Sequence, residues 1–456
     1  MIEPPLWLVI LPIAATPLVY LIRRWGVAAH LAALAALLTG LLAWSLPPTN
    51  PIRLLGRPFL LDPLTQYALA LLLVMTAILF LVAWRLPQGW SFFPLSLILL
   101  GLLATVGMAR HLGITALVMA LAVAGAVFII QGGQPGSTRA AWRFLMMMSL
   151  ALPFFLLAAW RVDLYREDAK NAIYLGQAAF FLALGMSVWL AAVPLHGWLT
   201  AVGAEAPPVV AAFVLTAFPM LALVTLLHVL TEAAWFTWLA QAGRLLLLAG
   251  LISAATGGLL AAAQRGLRPL LGYAALFDLG CLLVALATRG SSSALAFYAG
   301  LTTRALGLAL TGAATAAIRL AVGEDTFVRL RGMARYMPLA TIALLVGGFT
   351  LAGLPLTASF LPRWLLFHDL AQADPRWVWL LVAGGVGVAF GYLRGLNAML
   401  ATPAGSVSRA NPPRPDRLAT AILVALGLLA LALGLFPQAL LQMAQHLRSL
   451  YPLPLP

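Results

Sequence analysis

The chain is poor in charge, in cysteine and in lysine. Only 9% of its 456 residues are charged, against about 25% in an ordinary soluble domain. Too few polar side chains remain to cover a water-facing surface, which excludes a soluble enzyme and a disordered protein. The single cysteine, Cys281, sits in an apolar stretch, so a disulfide scaffold and a Cys-based metal cluster are excluded. Lys170 is the only lysine among the 27 basic residues. That skew matters, because a buried lysine can release its proton while arginine stays charged at any ordinary pH. There is also no Gly-rich phosphate loop and no His pair suited to haem, so no cofactor is expected in this chain.

What the chain has instead is apolar surface. Hydrophobic residues make up 63% of it and the mean hydropathy is +1.00. This composition belongs to an all-α polytopic membrane protein. The net charge of +14 comes from basic residues spread singly between hydrophobic segments. They read as loop charges that set topology, so nucleic acid is not an expected partner; the lipid bilayer is. No positive charge precedes the first apolar run from Leu6, and Arg23-Arg24 follow it, the reverse of a secretory signal.

A helix needs about 20 apolar residues to cross the hydrocarbon core. About fourteen segments meet this pattern: 6–22, 26–46, 66–84, 90–109, 112–131, 140–160, 174–193, 207–230, 236–262, 267–287, 292–318, 338–357, 376–400 and 418–440. An even number puts both termini on one side. The connections on that side carry about ten Lys and Arg and the opposite ones about fifteen, including Arg289 on the poorer side and Arg409 and Arg414 on the richer. The richer side is expected to be cytoplasmic, placing both termini outside the cytoplasm and the chain in the cell's inner (plasma) membrane. The longest polar connections are 161–173, 319–337 and 401–417, the last with Pro412, Pro413 and Pro415.

Two apolar segments carry proline inside them: Val193-Pro194-Leu195-His196, followed by Glu205-Ala206-Pro207-Pro208, and Gly353-Leu354-Pro355 through Phe360-Leu361-Pro362-Arg363. Proline removes an intrahelical hydrogen bond and breaks the helix. Broken backbone at membrane depth persists only inside protein or beside a watery cavity. Such a pair, five helices apart, points to two inverted five-helix repeats. The expected organisation is 1–90 for helices 1–3, 90–232 and 233–400 for the two repeats, and 401–456 for the Pro-rich loop and last helix.

At these segments the chain resembles the antiporter-like membrane subunits of respiratory complex I (NADH-quinone oxidoreductase), with their relatives in Mrp-type cation/proton antiporters and membrane-bound hydrogenases. The resemblance covers roughly residues 60–400. Leu61-Asp62-Pro63-Leu64 is similar to the family's "LDPLS". Val193-Pro194-Leu195-His196 through Glu205-Ala206-Pro207 resembles "HxWLPxAHxEAP", and Gln264 through Tyr273 resembles "QxDIKRLLAYSS". Leu351-Ala352-Gly353-Leu354-Pro355 resembles "LAGIPPxxGFxxK". The Ala191-Ala192-Val193-Pro194 form leans toward the quinone-side member of the group.

The resemblance implies a line of ionisable residues near the bilayer midplane that passes protons. Carried over position by position, most of them are lost. The acid of the fifth helix has no counterpart in 112–131; the seventh-helix lysine falls at Trp189; the eighth-helix lysine falls at Met220, or at Pro219 if the gap is moved. The twelfth-helix lysine falls at Arg363 and the histidine of the family's "SSxxH" at Asp278. Apolar replacements cannot hold a proton, and Arg363 cannot cycle one.

Asp278, Arg304, Arg363, His196 and Glu205 remain as candidate ion-path or electrostatic residues. Each also has a plainer reading. Asp278 and Arg304 can be a structural ion pair, Asp278 being the one that titrates. Arg363 is either a fixed charge beside a hydrated cavity or a cap on broken-helix carbonyls. His196 can relay a proton or satisfy backbone groups freed by the break. Glu205 can cap the next helix N-terminus. The function implied is an antiporter-like subunit of a complex I-type oxidoreductase or a related ion-translocating complex. Its partners would be other membrane subunits, with redox chemistry and any quinone in those neighbours. Within this reading the chain is degenerate and mainly architectural. The alternatives are a rewired proton path or a stand-alone proton/cation transporter.

Overall fold

A computed structural model describes residues 3–47, 51–54, 56–86, 88–89, 91–132, 137–168, 171–231, 239–288, 290–402 and 417–453. Lys170, Arg289, Arg409, Arg414 and the Pro412-Pro413-Pro415 run lie outside the described residues. The first helices are α1 (Trp7–Leu21), α2 (Ala28–Ser45), α3 (Pro63–Ala83), α4 (Phe92–Met108), α5 (Leu112–Gln131) and α6 (Ser137–Glu167). Next come α7 (Ala172–Trp189), α8 (Gly197–Glu205), α9 (Pro208–Leu230), α10 (Leu239–Ala263), α11 (Leu267–Ala287) and α12 (Ser291–Val322). The rest are α13 (Met333–Tyr336), α14 (Pro338–Ala352), α15 (Phe360–Ala373), α16 (Pro375–Leu400), α17 (Arg417–Leu435) and α18 (Gln438–Leu450).

Twelve of the described helices are long and apolar enough to cross a membrane, and α4 and α14 are shorter apolar helices. Local chemistry sets several starts. Pro63, Pro208, Pro338 and Pro375 each occupy a first helical position, where the missing N–H costs nothing and φ is already helical. Asp62 caps α3 by accepting the Thr65 N–H at 2.8 Å, and Asp374 caps α16. α9 forms the centre: its apolar window is buried along its whole length, with α3, α4, α12 and α11 packed around it.

Both proline-bearing segments break. Between α7 and α8, Ala191 takes a left-handed φ of 48°; between α14 and α15, Leu356 takes 70°. A non-glycine residue there costs about 1–2 kcal/mol, so surrounding structure must hold it. The freed backbone finds partners. The Trp198 indole donates to the Val188 carbonyl at 2.8 Å, and the Val193 N–H donates to Ser253 Oγ at 3.3 Å. Thr357 Oγ1 donates to the Leu354 carbonyl at 2.7 Å, and the Ser359 hydroxyl donates to the Thr350 carbonyl. Pro362 falls in the first turn of α15 and does not itself interrupt the helix.

Besides the short helices α8, α13, α15 and α18, which lie wholly or largely outside the expected segments, three features differ from the expected helices. A two-stranded antiparallel hairpin, β1 (Ile52–Leu54) and β2 (Arg57–Phe59), joins α2 to α3, with Gly56 at φ 74°. α6 runs to Glu167, beyond the expected 140–160, because its last turns carry Arg161, Asp163, Arg166 and Glu167, whose charges end the apolar run without ending the helix. α12 likewise extends to Val322.

Candidate functional site

Three charged side chains meet in the apolar interior. Asp278 (α11), Arg304 (α12) and Arg363 (α15) are 2%, 1% and 4% exposed. Arg304 Nη1 donates to Asp278 Oδ2 at 2.9 Å, and Arg363 Nη2 donates to Asp278 Oδ1 at 2.5 Å. One carboxylate thus bridges two guanidiniums, and the triad carries an excess positive charge, two against one. An unpaired charge at this depth would cost about 3 kcal/mol or more.

Backbone carbonyls share that excess. Arg304 Nη1 also donates to the Ala275 carbonyl at 2.8 Å, and its Nη2 donates to the Leu215 carbonyl at 3.0 Å. The second contact has a cause in the sequence. Leu215 lies four residues before Pro219 inside α9, and proline has no N–H to complete the helical bond to it. The orphaned acceptor is served by Arg304 instead, which ties the central helix α9 to α11 and α12. Arg363 leans on the Phe277 ring at 5.4 Å and reaches the Leu351 carbonyl only at 3.5 Å. Ion pairing with Asp278 therefore outweighs carbonyl capping for this residue. Gly353, at φ 83°, makes room for it: a Cβ there would lie 2.5 Å from Arg363 Cγ.

The positions expected to have lost lysines are filled by packing. Trp189 is 2% exposed and stacks on Phe155 with ring centroids 4.0 Å apart. Met220 is 1% exposed. Neither supplies a titratable atom, and Pro219 acts through its missing N–H.

His196 and Glu205 stand apart from the triad. His196 Nδ1 is buried without a hydrogen-bond partner and its side chain does not cap α8. The capping reading of Glu205 is corrected. The residue before α9 is Pro207, with no side-chain cap, and Glu205 Oε2 is buried without a partner. What Glu205 contributes is its carbonyl, which accepts from Arg268 Nη1 at 3.2 Å. Helix α8 ends at Glu205, so its carboxylate belongs to a C-terminus and not to the following N-terminus.

A second polar cluster escaped the sequence reading. The hairpin sets it up: Phe59 bridges Ala109, the Leu60 N–H donates to the Met108 carbonyl at 2.8 Å, and the Arg110 N–H donates to the Pro58 carbonyl at 3.1 Å. This brings Arg110 Nη2 to 2.9 Å from Asp62 Oδ2, while His228 Nε2, on the last turn of α9, lies 3.2 Å from the same oxygen. The Thr65 hydroxyl joins His228 Nε2 at 3.2 Å and the Gly107 carbonyl at 3.1 Å. Burial alone would raise the Asp62 pKa, but the hydrogen bond and charge of His228 and the charge of Arg110 hold it below the ordinary carboxylate range. Leu61-Asp62-Pro63 was visible as a motif; its partners, 48 and 166 residues further on, were not.

Residues 126–391 match the family described as NADH:quinone oxidoreductase/Mrp antiporter, TM. The chain is 30% identical over 380 residues to NADH-quinone oxidoreductase subunit 14 of Thermus thermophilus, covering 75% of this chain and 82% of the relative. Its fold is similar to a chain of the membrane-bound sulfane sulfur reductase, an archaeal respiratory membrane complex, at a TM-score of 0.85 and 16% identity, covering 98% and 97% of the two chains. It is similar also to a chain of respiratory complex I from Thermus thermophilus, at 0.74 and 22% identity, covering 94% and 98%. With a match over more than half its length, and a charged triad lodged in a bundle broken at two helices, the chain belongs to the NADH:quinone oxidoreductase/Mrp antiporter family of multi-pass membrane proteins.

Proposed function

We propose that this chain is the subunit 14/N-type antiporter-like member of a complex I-type oxidoreductase, or of a related ion-translocating complex. It sits in the inner (plasma) membrane with both termini outside the cytoplasm. Its partners are other membrane subunits, and redox chemistry, with any quinone, belongs to those partners. The names of its relatives support this placement. We read 90–232 and 233–400 as two inverted halves, supported by a left-handed non-glycine residue at each helix break.

Within such a complex its role is architectural and electrostatic. The observation that carries this reading is the Asp278–Arg304–Arg363 triad, whose carboxylate is engaged by two groups that never deprotonate. Trp189 and Met220 leave no amine to pass a proton toward it. The triad thus acts as a fixed positive element beside the moving charges of neighbouring subunits.

Purified alone and reconstituted into proteoliposomes, the chain is expected to pass no more protons than empty vesicles. A flux that collapses in Asp278→Asn would overturn this reading and favour the rewired path. In the intact complex, loss of the chain is expected to disrupt assembly of its neighbours, measured by native gel electrophoresis of solubilised membranes.

A further inference from the structure

A trough of about 640 Å³ runs along the outer face of α7, with Arg161 of α6 at one end. Its size falls in the range of about 300–1,000 Å³ typical of ligand pockets. Ala172 and Gly176 are four residues apart and so lie one above the other on the helix; the Ala172 methyl and the bare backbone of Gly176 leave a low floor. Ile173 and Phe180, 65% and 61% exposed, stand along its length as apolar walls.

The charged end is built differently from the rest. The Arg161 guanidinium lies 4.3 Å over the Trp160 ring and 6.0 Å from that of Tyr174. Its Nε is buried with no hydrogen-bond partner, and no carboxylate pairs with it among the described residues. A guanidinium held by its faces keeps its N–H edge for a planar or tetrahedral oxyanion. α6 continues beyond Arg161 into Asp163, Arg166 and Glu167. Trp160 and Tyr174 therefore mark the depth at which a helix leaves the hydrocarbon, where aromatic belts and lipid headgroups sit.

We infer that this trough is a phospholipid site: Arg161 holds the phosphodiester and the Ala172–Gly176 floor seats an acyl chain. Charge complementarity selects this occupant. An apolar channel that ends on an unpaired cation at the interface matches a molecule with a long apolar tail and one anionic oxygen cluster. The trough lies on a different face of α6 from a small cavity of about 20 Å³ lined by Arg110, His111, Ala159 and Asp163, and shares no residue with the Asp278 triad.

The test uses the full chain in detergent, with phosphatidylglycerol added and retained lipid counted by native mass spectrometry. The wild type is expected to keep one lipid, and Arg161→Gln to weaken its retention about tenfold, the loss of one charge-assisted contact. Arg161→Lys should recover part of it. Gly176→Leu, which fills the floor and leaves the cation in place, should also weaken retention. Dioleoylglycerol, which lacks the phosphate, should bind weakly and equally to wild type and Arg161→Gln. Equal phosphatidylglycerol retention by wild type, Arg161→Gln and Gly176→Leu would overturn the site. Displacement of the lipid by millimolar inorganic phosphate would reduce it to an anion site without a tail. A neighbouring subunit seated on the trough in the purified complex, with no lipid between, would also overturn it.

Discussion

Replacing Asp278 by asparagine should be far more damaging than replacing either arginine that it holds. The triad starts with two guanidiniums and one carboxylate. Asp278→Asn raises the excess from one positive charge to two, with both cations less than 5% exposed. Stripping one partner from a buried pair costs about 3–5 kcal/mol. Here one acid serves two partners, so the loss is expected at the upper end, about 5 kcal/mol. Arg304→Met works the other way on charge, because it leaves Asp278 and Arg363 as a balanced pair. Its main cost is the Leu215 carbonyl, which Pro219 cannot serve, and an unsatisfied buried acceptor costs about 1–3 kcal/mol. Pro219→Ala restores an N–H in that position. In the Arg304→Met background it should recover most of this loss, beyond whatever helix propensity adds in both backgrounds. The double-mutant cycle is expected to show a coupling of about 1–2 kcal/mol. Unfolding in mixed dodecyl maltoside and dodecyl sulfate micelles, followed by circular dichroism, measures all four proteins. The reasoning is refuted if Asp278→Asn costs no more than Arg304→Met, or if residues 219 and 304 show no coupling.

Three further outcomes are expected. Gly353→Ala places a Cβ 2.5 Å from Arg363 Cγ on a backbone at φ 83°; it should cost about 1–3 kcal/mol, and less in an Arg363→Ala background, which removes the clash but not the strain. Trp189→Lys and Met220→Lys put amines back at positions now 2% and 1% exposed, with no acid in 112–131 to receive them; each should lower the unfolding midpoint, at a cost of about 2.5–3.5 kcal/mol, without creating proton flux in vesicles. His111, which caps α5 outside the membrane-spanning stretch, has its pKa lowered from 6.5 by burial and then by Arg57, with Asp163 opposing. The unfolded chain therefore takes up this proton first as pH falls, and stability present above 6.5 is lost below it, down to the folded value. The melting temperature should fall between about pH 7.5 and pH 5.5, and the fall should be shallower in His111→Gln.

How much of this was readable beforehand depends on what each residue reports. A lipid-facing helix declares itself by length and hydropathy, because the bilayer leaves no other way to satisfy its backbone. A proline at membrane depth likewise declares a break. So the long helices and the interruptions near Pro194 and Pro355 stood in the sequence, while the hairpin at Ile52–Phe59, too short for any period, did not. Intramembrane charge is conspicuous for the same energetic reason, which singled out Asp278, Arg304 and Arg363. Partnership is another matter. Asp278 and Arg304 are 26 residues apart on successive helices, near enough in the chain to be paired on paper. Arg363 is 85 residues from Asp278 and reaches it only because the break after α14 turns α15 back toward α11. His228 and Asp62 are 166 residues apart, and a single histidine at the end of an apolar helix gives no sign of an acid waiting there. Pro219 was visible as a helix proline, but which donor would serve the carbonyl of Leu215 was fixed by the packing of α12 against α9. Burial cost thus marks which residues must find partners, and only the tertiary fold decides which ones they find.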